Sequence, residues 1–423
     1  MGIKWVDDLG MGFRARKKDD VLFTVKKKEP RMDPETHLHR LLETTRDKKS
    51  GQRYCVVGAG HGGLAMAGHL GLMGYDVALY NRSDENLHGV RWRGGVDMAG
   101  AVEGFAPVRL ATNDMAEALR GVDVIQVVTP STAHRSLGAL MAPHLRDGQL
   151  IVLNPGRTGG ALEFRQVLRE CHCKAQVCIG ETATFLYASR ATSRSSARIF
   201  RIKNQVALAT LPAHFIPDAL AILSGPFPQF KAGTNVWTTS MENIGAIFHP
   251  ALTLLNAGWI ESTKGDFDYY SQGITPTVAK ILEGVDADRI AVSQSLGVHT
   301  VSAREWLYLT YDSAGKNLHE AIQRTDSYRG IKAPSNLMHR YIFEDVPMSL
   351  VPLSSIGHLR KVPTPMIDMV IQLASVAHGV DYRAQGRTVE RMGIAGMSLK
   401  QLRQQVIGID EPKPGKMKKG KRK

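Results

Sequence analysis

Residues 53–82 read RYCVVGAGHGGLAMAGHLGLMGYDVALYNR, and the reading of the whole chain starts from them. Tyr54 to Val57 is a short apolar run, too brief for a helix and bounded by glycine, so it reads as a buried parallel strand. It leads into Gly58, Ala59, Gly60, His61, Gly62 and Gly63. Gly58, Gly60 and Gly63 fall on the G-x-G-x-x-G positions, where the first allows a tight turn, the second lets the backbone approach a pyrophosphate, and the third permits close helix-to-strand packing. Leu64, Ala67, Leu70 and Leu72 then supply an apolar helical face, Gly74 ends the helix, and Asp76 to Tyr80 is a second strand. The result is one β-α-β unit whose helix presents unpaired N–H groups and the positive end of its dipole to a diphosphate.

The end of the second strand bears on which dinucleotide fits. NAD-binding versions of this unit place an acidic residue about twenty positions past the glycines, on the ribose 2′-hydroxyl, whereas a nearby arginine accepts a 2′-phosphate. Asn81 and Arg82 occupy that place. The carboxylate that would repel a phosphate is missing, so NADP(H) is the expected cofactor. NAD(H) is the other possibility, with Arg82 then a solvated loop residue and Asp84 or Glu85 in the acidic role.

Strands and helices go on alternating. Val90 to Gly104 reads as irregular and glycine-rich and Val108 to Ala111 as strand-like. Asp114 to Leu119 reads as a helix with Asp114 near its start. Strands are expected at Asp123–Val128, Gln149–Leu153 and Ala175–Ile179, with helices at His134–Leu145 and Ala161–Arg169. Such alternation implies a doubly wound sheet whose ligands lie beyond the carboxyl ends of its strands. Thr129 and Pro130, the loop from Asn154 to Gly160, and Glu181-Thr182 are therefore expected beside the nicotinamide. Ile199 to Leu211 alternates in a way compatible with a hairpin closing this domain.

Composition sets the limits. The chain has 423 residues, too many for one ordinary core and suited to two domains with tails. No apolar run approaches the roughly 18 residues of a membrane span. The start lacks a charged-then-apolar signal pattern, and Val6 stands where myristoylation wants serine or threonine. A cytoplasmic location is the expectation. The formal charge is +14, but residues 1–51 hold 13 Lys and Arg against 9 Asp and Glu, and residues 410–423 hold 7 against 2. The ends thus carry +4 and +5, and the body only +5. The tail PKPGKMKKGKRK is expected to be solvated and at most weakly attracted to polyanions, so nucleic acid is not expected as a partner. Cys171-His172-Cys173 with Cys178 lacks a second closely spaced ligand pair, and no metal site is expected.

Past Lys231 the texture turns helical. Val236 to Trp259 reads as one long helix, followed by helices around 278–296, 303–311, 318–323, 336–343, 365–377 and 388–392. The expected domains are an extension at 1–51 (with a short helix from Pro34), a dinucleotide-binding domain at 52–232, a helical domain at 233–408, and a basic tail at 409–423. The cleft between the two main domains is the default site. Among fifteen histidines, His249 stands out because Gly245 and Ala246 leave one face of its helix open to another body. Spacing alone equally allows a packed core histidine.

Several blocks in the same order carry a resemblance. GAGHGG at 58–63, LNPGRTGGALEFRQVLRE at 153–170, GET at 180–182, NIGAIFHPALTLLNA at 243–257 and YRGIKAPSNLMHRYIFEDVPMSLVPL at 328–353 make residues 52–408 similar to the NAD/NADP octopine/nopaline dehydrogenases, the opine dehydrogenase family. The resemblance implies an α/β Rossmann domain followed by an all-α domain like the C-terminal one of 6-phosphogluconate dehydrogenase. It implies reductive condensation of an amino acid with a 2-oxo acid, in members that include homodimers. It also implies a catalytic His–Asp pair, at His249 and Asp345, and a substrate-site arginine at Arg340. Glu181 and Asn243 are further candidates for substrate contact. Beside Asp345, Glu344 reads as a carboxylate easily solvated. On the same fold, a reductase of a plain 2-oxo acid or a preformed cyclic imine is the alternative. A non-catalytic NADP(H) sensor with basic ends for nucleic acid is the alternative from another class.

Overall fold

The computed structural model describes residues 34–48 and 51–408. The basic tail and the charge clusters before Pro34 lie outside the described residues. Twelve strands occur among the described residues: β1 (Arg53–Val57), β2 (Asp76–Tyr80), β3 (Gly95–Gly100), β4 (Gly104–Pro107), β5 (Leu110–Thr112), β6 (Val124–Val127), β7 (Leu150–Leu153), β8 (Cys178–Thr182), β9 (Tyr187–Ser193), β10 (Ser196–Ile202), β11 (Val206–Leu211) and β12 (Phe230–Ala232). Eight form one sheet in the order β12-β11-β8-β7-β6-β1-β2-β5. From β8 to β5 all neighbours are parallel, and β11 turns antiparallel against β8.

The period of two in β1 divides the core. Cys55 and Val57 belong to the apolar cluster that continues into the helical domain through Ile247 and Leu252. Tyr54 and Val56 face the opposite cluster with Leu64 and Leu70. Because one cluster runs from the sheet into the helices, the two halves share apolar packing as well as the cleft.

A second sheet, β4-β3-β10-β9, lies over the helix His61–Leu72, and it corrects two expectations. Val90 to Gly104 is not irregular: it holds the helix His88–Arg93, β3 and the start of β4. The glycines there permit close strand approach, since a Cβ on Gly95 would stand 2.1 Å from the Ala106 carbonyl oxygen. Nor do β10 and β11 form a hairpin. β10 pairs with β9 in the small sheet while β11, buried at nearly every position, joins the large one, so the sequence pattern reported two strands without reporting that their partners differ.

The expected long helix over 236–259 is three, Val236–Met241, Gly245–Leu255 and Ala257–Thr263. The first break lies at Glu242 to Ile244, where Asn243 turns inward. Residues 336–339 and 388–392 are not helical, and helix is confined to Arg340–Phe343 in the first of these regions. A π-helical turn at Val346–Leu350 runs into the helix Val351–Arg360. The helix from Pro34 extends to Asp47, burying Leu38 and Leu42, and its His39 lies 2.9 Å from Asp218. No helix of the described residues is long and apolar enough to cross a membrane.

Candidate active site

The glycine-rich turn shows a separate reason for each glycine. Gly58 has φ +116, a backbone that side chains resist. A Cβ on Gly63 would lie 1.7 Å from the Gly58 carbonyl oxygen, whereas one on Gly60 would meet nothing within 4 Å. Packing therefore demands glycine at the first and third positions only. The open space at Gly60 fits a ligand brought against the backbone. Gly62 packs on Phe185, and the His61 Nδ1 accepts the Ala191 N–H at 3.0 Å. Asn81 Oδ1 accepts the Ala59 N–H at 3.1 Å, tying the end of β2 to the turn.

Arg82 is exposed and makes no ion pair among the described residues. Both acidic alternatives are already engaged, Asp84 with Arg91 at 2.5 Å and Glu85 with Arg194 at 3.7 Å. Farther along the carboxyl edge of the sheet, Thr129 Oγ1 and Asn154 Oδ1 are buried without hydrogen-bond partners, and Pro130 is exposed. Unpaired buried acceptors and donors beside an open glycine turn suit a polar cofactor.

The helical half contributes a His–Asp pair in which the carboxylate is buried and the imidazole partly exposed. His249 Nδ1 lies 2.8 Å from Asp345 Oδ2, and Asp345 is 1% exposed. The carboxylate thus takes Nδ1 and leaves Nε2 as the nitrogen able to exchange a proton. The imidazole stacks on Tyr341, centroids 4.0 Å apart, and its backbone carbonyl accepts from Thr253 Oγ1 at 2.7 Å and Tyr269 Oη at 3.0 Å. A Cβ on Gly245 would stand 3.0 Å from the imidazole Cε1 and 3.6 Å from Arg157 Nη1, so glycine there leaves room for both groups.

Arg157 and Glu344 are the residues that sequence reasoning missed. Arg157, at φ +61 in the loop after β7, sets Nη1 3.2 Å from Asp345 Oδ1 and 3.2 Å from Asn243 Oδ1, with Nε 3.6 Å from Glu344 Oε1. Burial alone would push the Asp345 carboxyl up, but the Arg157 guanidinium and the His249 hydrogen bond outweigh it and hold the group below the usual carboxylate range. Asn243 also donates to Ser349 Oγ at 2.7 Å. The only signal for Arg157 was its place in the loop expected beside the nicotinamide.

Glu344 is not solvated as expected. It is 1% exposed, and its Oε1 accepts both the N–H and the hydroxyl of Ser131 at 3.1 Å, joining the loop after β6 to the helical half. Its Oε2 pairs with Arg340 at 2.7 Å. Arg340, 51% exposed on its side chain, thus keeps half of its surface open to solvent with part of its charge already balanced. His339 caps the helix that begins at Arg340, and burial first, then Arg340, lower its pKa.

Glu181 is also placed differently from a cleft residue. Fully buried, it accepts from the Ala161 N–H at 2.8 Å and Thr239 Oγ1 at 2.6 Å, knitting β8 to the helices Gly160–Glu170 and Val236–Met241. Burial pushes its carboxyl up to about 7. His134, another buried group, has neither ring nitrogen partnered, and burial followed by Arg387 and Arg157 holds its pKa well below the usual value. Cys171 is exposed and Cys178 buried in β8. No group of three potential metal ligands occurs among the described residues.

Comparison with known proteins agrees with this division into a sheet half and a helical half. Residues 53–179 match the family model of the NAD-dependent glycerol-3-phosphate dehydrogenase N-terminus. Residues 232–378 match that of the NAD/NADP octopine/nopaline dehydrogenase, alpha-helical domain. An opine dehydrogenase of Arthrobacter sp. (strain 1C) is 40% identical over 354 residues, covering 84% of this chain and 98% of its own. The ocs protein of Agrobacterium tumefaciens (strain Ach5) is 23% identical over 84% of this chain and 99% of its own. Among solved structures, octopine dehydrogenase in complex with NADH and agmatine superposes with a TM-score of 0.71 at 20% identity, covering 85% of this chain and 99% of that one. Yersinopine dehydrogenase with NADP+ bound gives 0.64 at 14% identity, covering 85% and 99%; both show the shared fold. The chain therefore belongs to the opine dehydrogenase family and is an NAD(P)-dependent oxidoreductase acting on CH–NH bonds.

Proposed function

We propose that the protein is an NADPH-preferring opine dehydrogenase that condenses an amino acid, or another amine, with a 2-oxo acid. The amine nitrogen replaces the carbonyl oxygen, which leaves as water. The resulting imine carbon then receives a hydride and the nitrogen a proton, giving a secondary amine that is a dicarboxylate when the amine is an amino acid. The cofactor supplies the hydride when bound; every other task falls to side chains of this chain. Gly58 to Gly63 would hold its diphosphate, Arg82 its 2′-phosphate, and Thr129, Pro130 and Asn154 its nicotinamide end.

In this reading His249 is the proton relay. With Nδ1 bonded to Asp345, Nε2 gives a proton where the carbonyl oxygen or imine nitrogen needs one and recovers it from solvent, while Asp345 fixes the tautomer and supports the charged ring. Arg157 keeps Asp345 ionised in its buried setting. Arg340 anchors a substrate carboxylate by paired hydrogen bonds, in exchange for part of its contact with Glu344. The observation that carries the reading is the 2.8 Å contact between His249 and a buried Asp345, drawn from segments 96 residues apart. Mixing enzyme, NADPH and pyruvate with and without a panel of amino acids tests it. Cofactor oxidation should require the amine and yield a mass-detectable conjugate; oxidation that ignores the amine would point to a plain 2-oxo acid reductase.

A further inference from the structure

The charges of the cleft are unevenly satisfied. Arg157 and Arg340 both lean on protein carboxylates. Lys203 does not. It follows β10 in a partly buried position and donates from Nζ to Thr184 Oγ1 at 2.7 Å. Its backbone N–H is fixed to the Leu186 carbonyl at 3.0 Å. No carboxylate pairs with it among the described residues. Burial, then the Arg157 charge, lower its ammonium to about 8. A half-buried ammonium within electrostatic reach of a second cation, with one hydroxyl for company, is an unfavourable arrangement. An arriving anion would relieve it.

Its location narrows which anion. Thr184 lies just past the carboxyl end of β8, and Arg157 past that of β7, two adjacent strands paired at Leu153 and Glu181. Lys203 therefore belongs to the sheet side of the cleft, near the group that grips the His–Asp pair. Two residues before it, Arg201 acts electrostatically on Tyr311 of the helical half, so this segment comes near that half. In the condensation proposed above, the carbon that receives the hydride carries the carboxylate of the 2-oxo acid, one bond away. A carboxylate so close to the reacting carbon falls within reach of a cation on the sheet side, which leaves the amino acid to extend toward the helical half.

We propose that Lys203, presented by Thr184, is the receptor for the 2-oxo acid carboxylate and so fixes which face of the imine carbon meets the cofactor. The inference rests on the opine dehydrogenase reading, and the test separates the two. The 2-oxo acid is the one that wild-type enzyme turns over fastest in the amine-dependent assay. Lys203→Gln, which keeps a donor for Thr184, should raise KM for that 2-oxo acid at least about tenfold, the loss expected of one charge-assisted hydrogen bond. It should change KM for the amino acid and the Kd of NADPH by less than about twofold, and Lys203→Arg should recover most of the loss. Titration of the same 2-oxo acid into the enzyme–NADP+ complex should show the weakening directly, and the NADPH titration reports that the variant is folded. An unchanged 2-oxo acid KM overturns the proposal. So does a weakened NADPH Kd in its place, which would assign Lys203 to the cofactor diphosphate, or a rise confined to the amino acid. Wild-type enzyme that oxidises NADPH without need of an amine refutes the underlying reading instead.

Discussion

Two groups of charges cross the boundary between the sheet and the helices, and they differ in how far the protein satisfies them. At the first, Glu163 and Arg387 are fully buried; Glu163 receives Arg387 Nε at 2.7 Å and Arg391 Nε at 2.8 Å. Arg387 Nη1 also serves the carbonyls of Gly156 at 3.1 Å and Thr158 at 2.8 Å. At the second, Glu344 and Asp345 are equally buried, but Arg340 is half exposed, His249 keeps Nε2 uncommitted and Lys203 has no carboxylate. Both groups hold the loop after β7 against the helical half. The first resembles a rivet, with its charges paired on protein partners although Arg387 Nη2 finds no hydrogen-bond acceptor. The second retains charge for a ligand, and unspent charge beside a cleft is what separates a site from a seam.

The comparison can be broken or sharpened by substitution. On the open side, His249→Ala should lower kcat by roughly two to four orders of magnitude, the usual worth of a general acid–base group, while leaving NADPH affinity nearly as it was. A fall of less than about fivefold in stopped-flow turnover would remove the relay. On the closed side, Glu163→Gln leaves Arg387 buried and unpaired and should reduce unfolding free energy by about 3–5 kcal/mol, read from the urea midpoint. A loss under about 1 kcal/mol would mean that this rivet holds little.

Glu181 lies beside the first group, close to Gly156 and Gly160, and gives a pH test. Its folded pKa of about 7 lies above the ordinary carboxyl value, so the folded state binds the proton more tightly. Its contribution is most favourable below the unfolded pKa, declines as pH rises toward 7, and is constant above that. Glu181→Gln should therefore gain on wild type between pH 5 and pH 8 by on the order of 2–3 kcal/mol; parallel stability curves would show that the carboxyl is not protonated in the fold. The smallest effect is expected at the far end of the cofactor site. Arg82→Ala should weaken NADPH on the order of tenfold, as one charge-assisted contact does, and leave NADH unaffected, whereas equal weakening of both would refute the phosphate assignment.

Much of the frame was legible. The β-α-β unit and its glycines are written in adjacent residues, and the structure gives each of the three motif glycines its own steric circumstance. His249 and Asp345 were reached through resemblance, since spacing alone left His249 as easily a core residue. The errors cluster where partner choice is non-local. The alternation in β10 and β11 spoke of strands but could not say that they enter different sheets, and helical spacing across 236–259 hid the break that turns Asn243 toward Arg157.

The sequence by itself determined the alternation of strands and helices in the large sheet, the glycine-rich turn and the family, because periodicity, glycine placement and motif order are properties of neighbouring residues. Only the tertiary structure decided that Glu344 is buried on Ser131, that Arg157 grips Asp345, and that Lys203 stands without a carboxylate. Whether a charge is satisfied depends on groups brought from distant parts of the chain and on the water they exclude, and neither is encoded in the residues beside it.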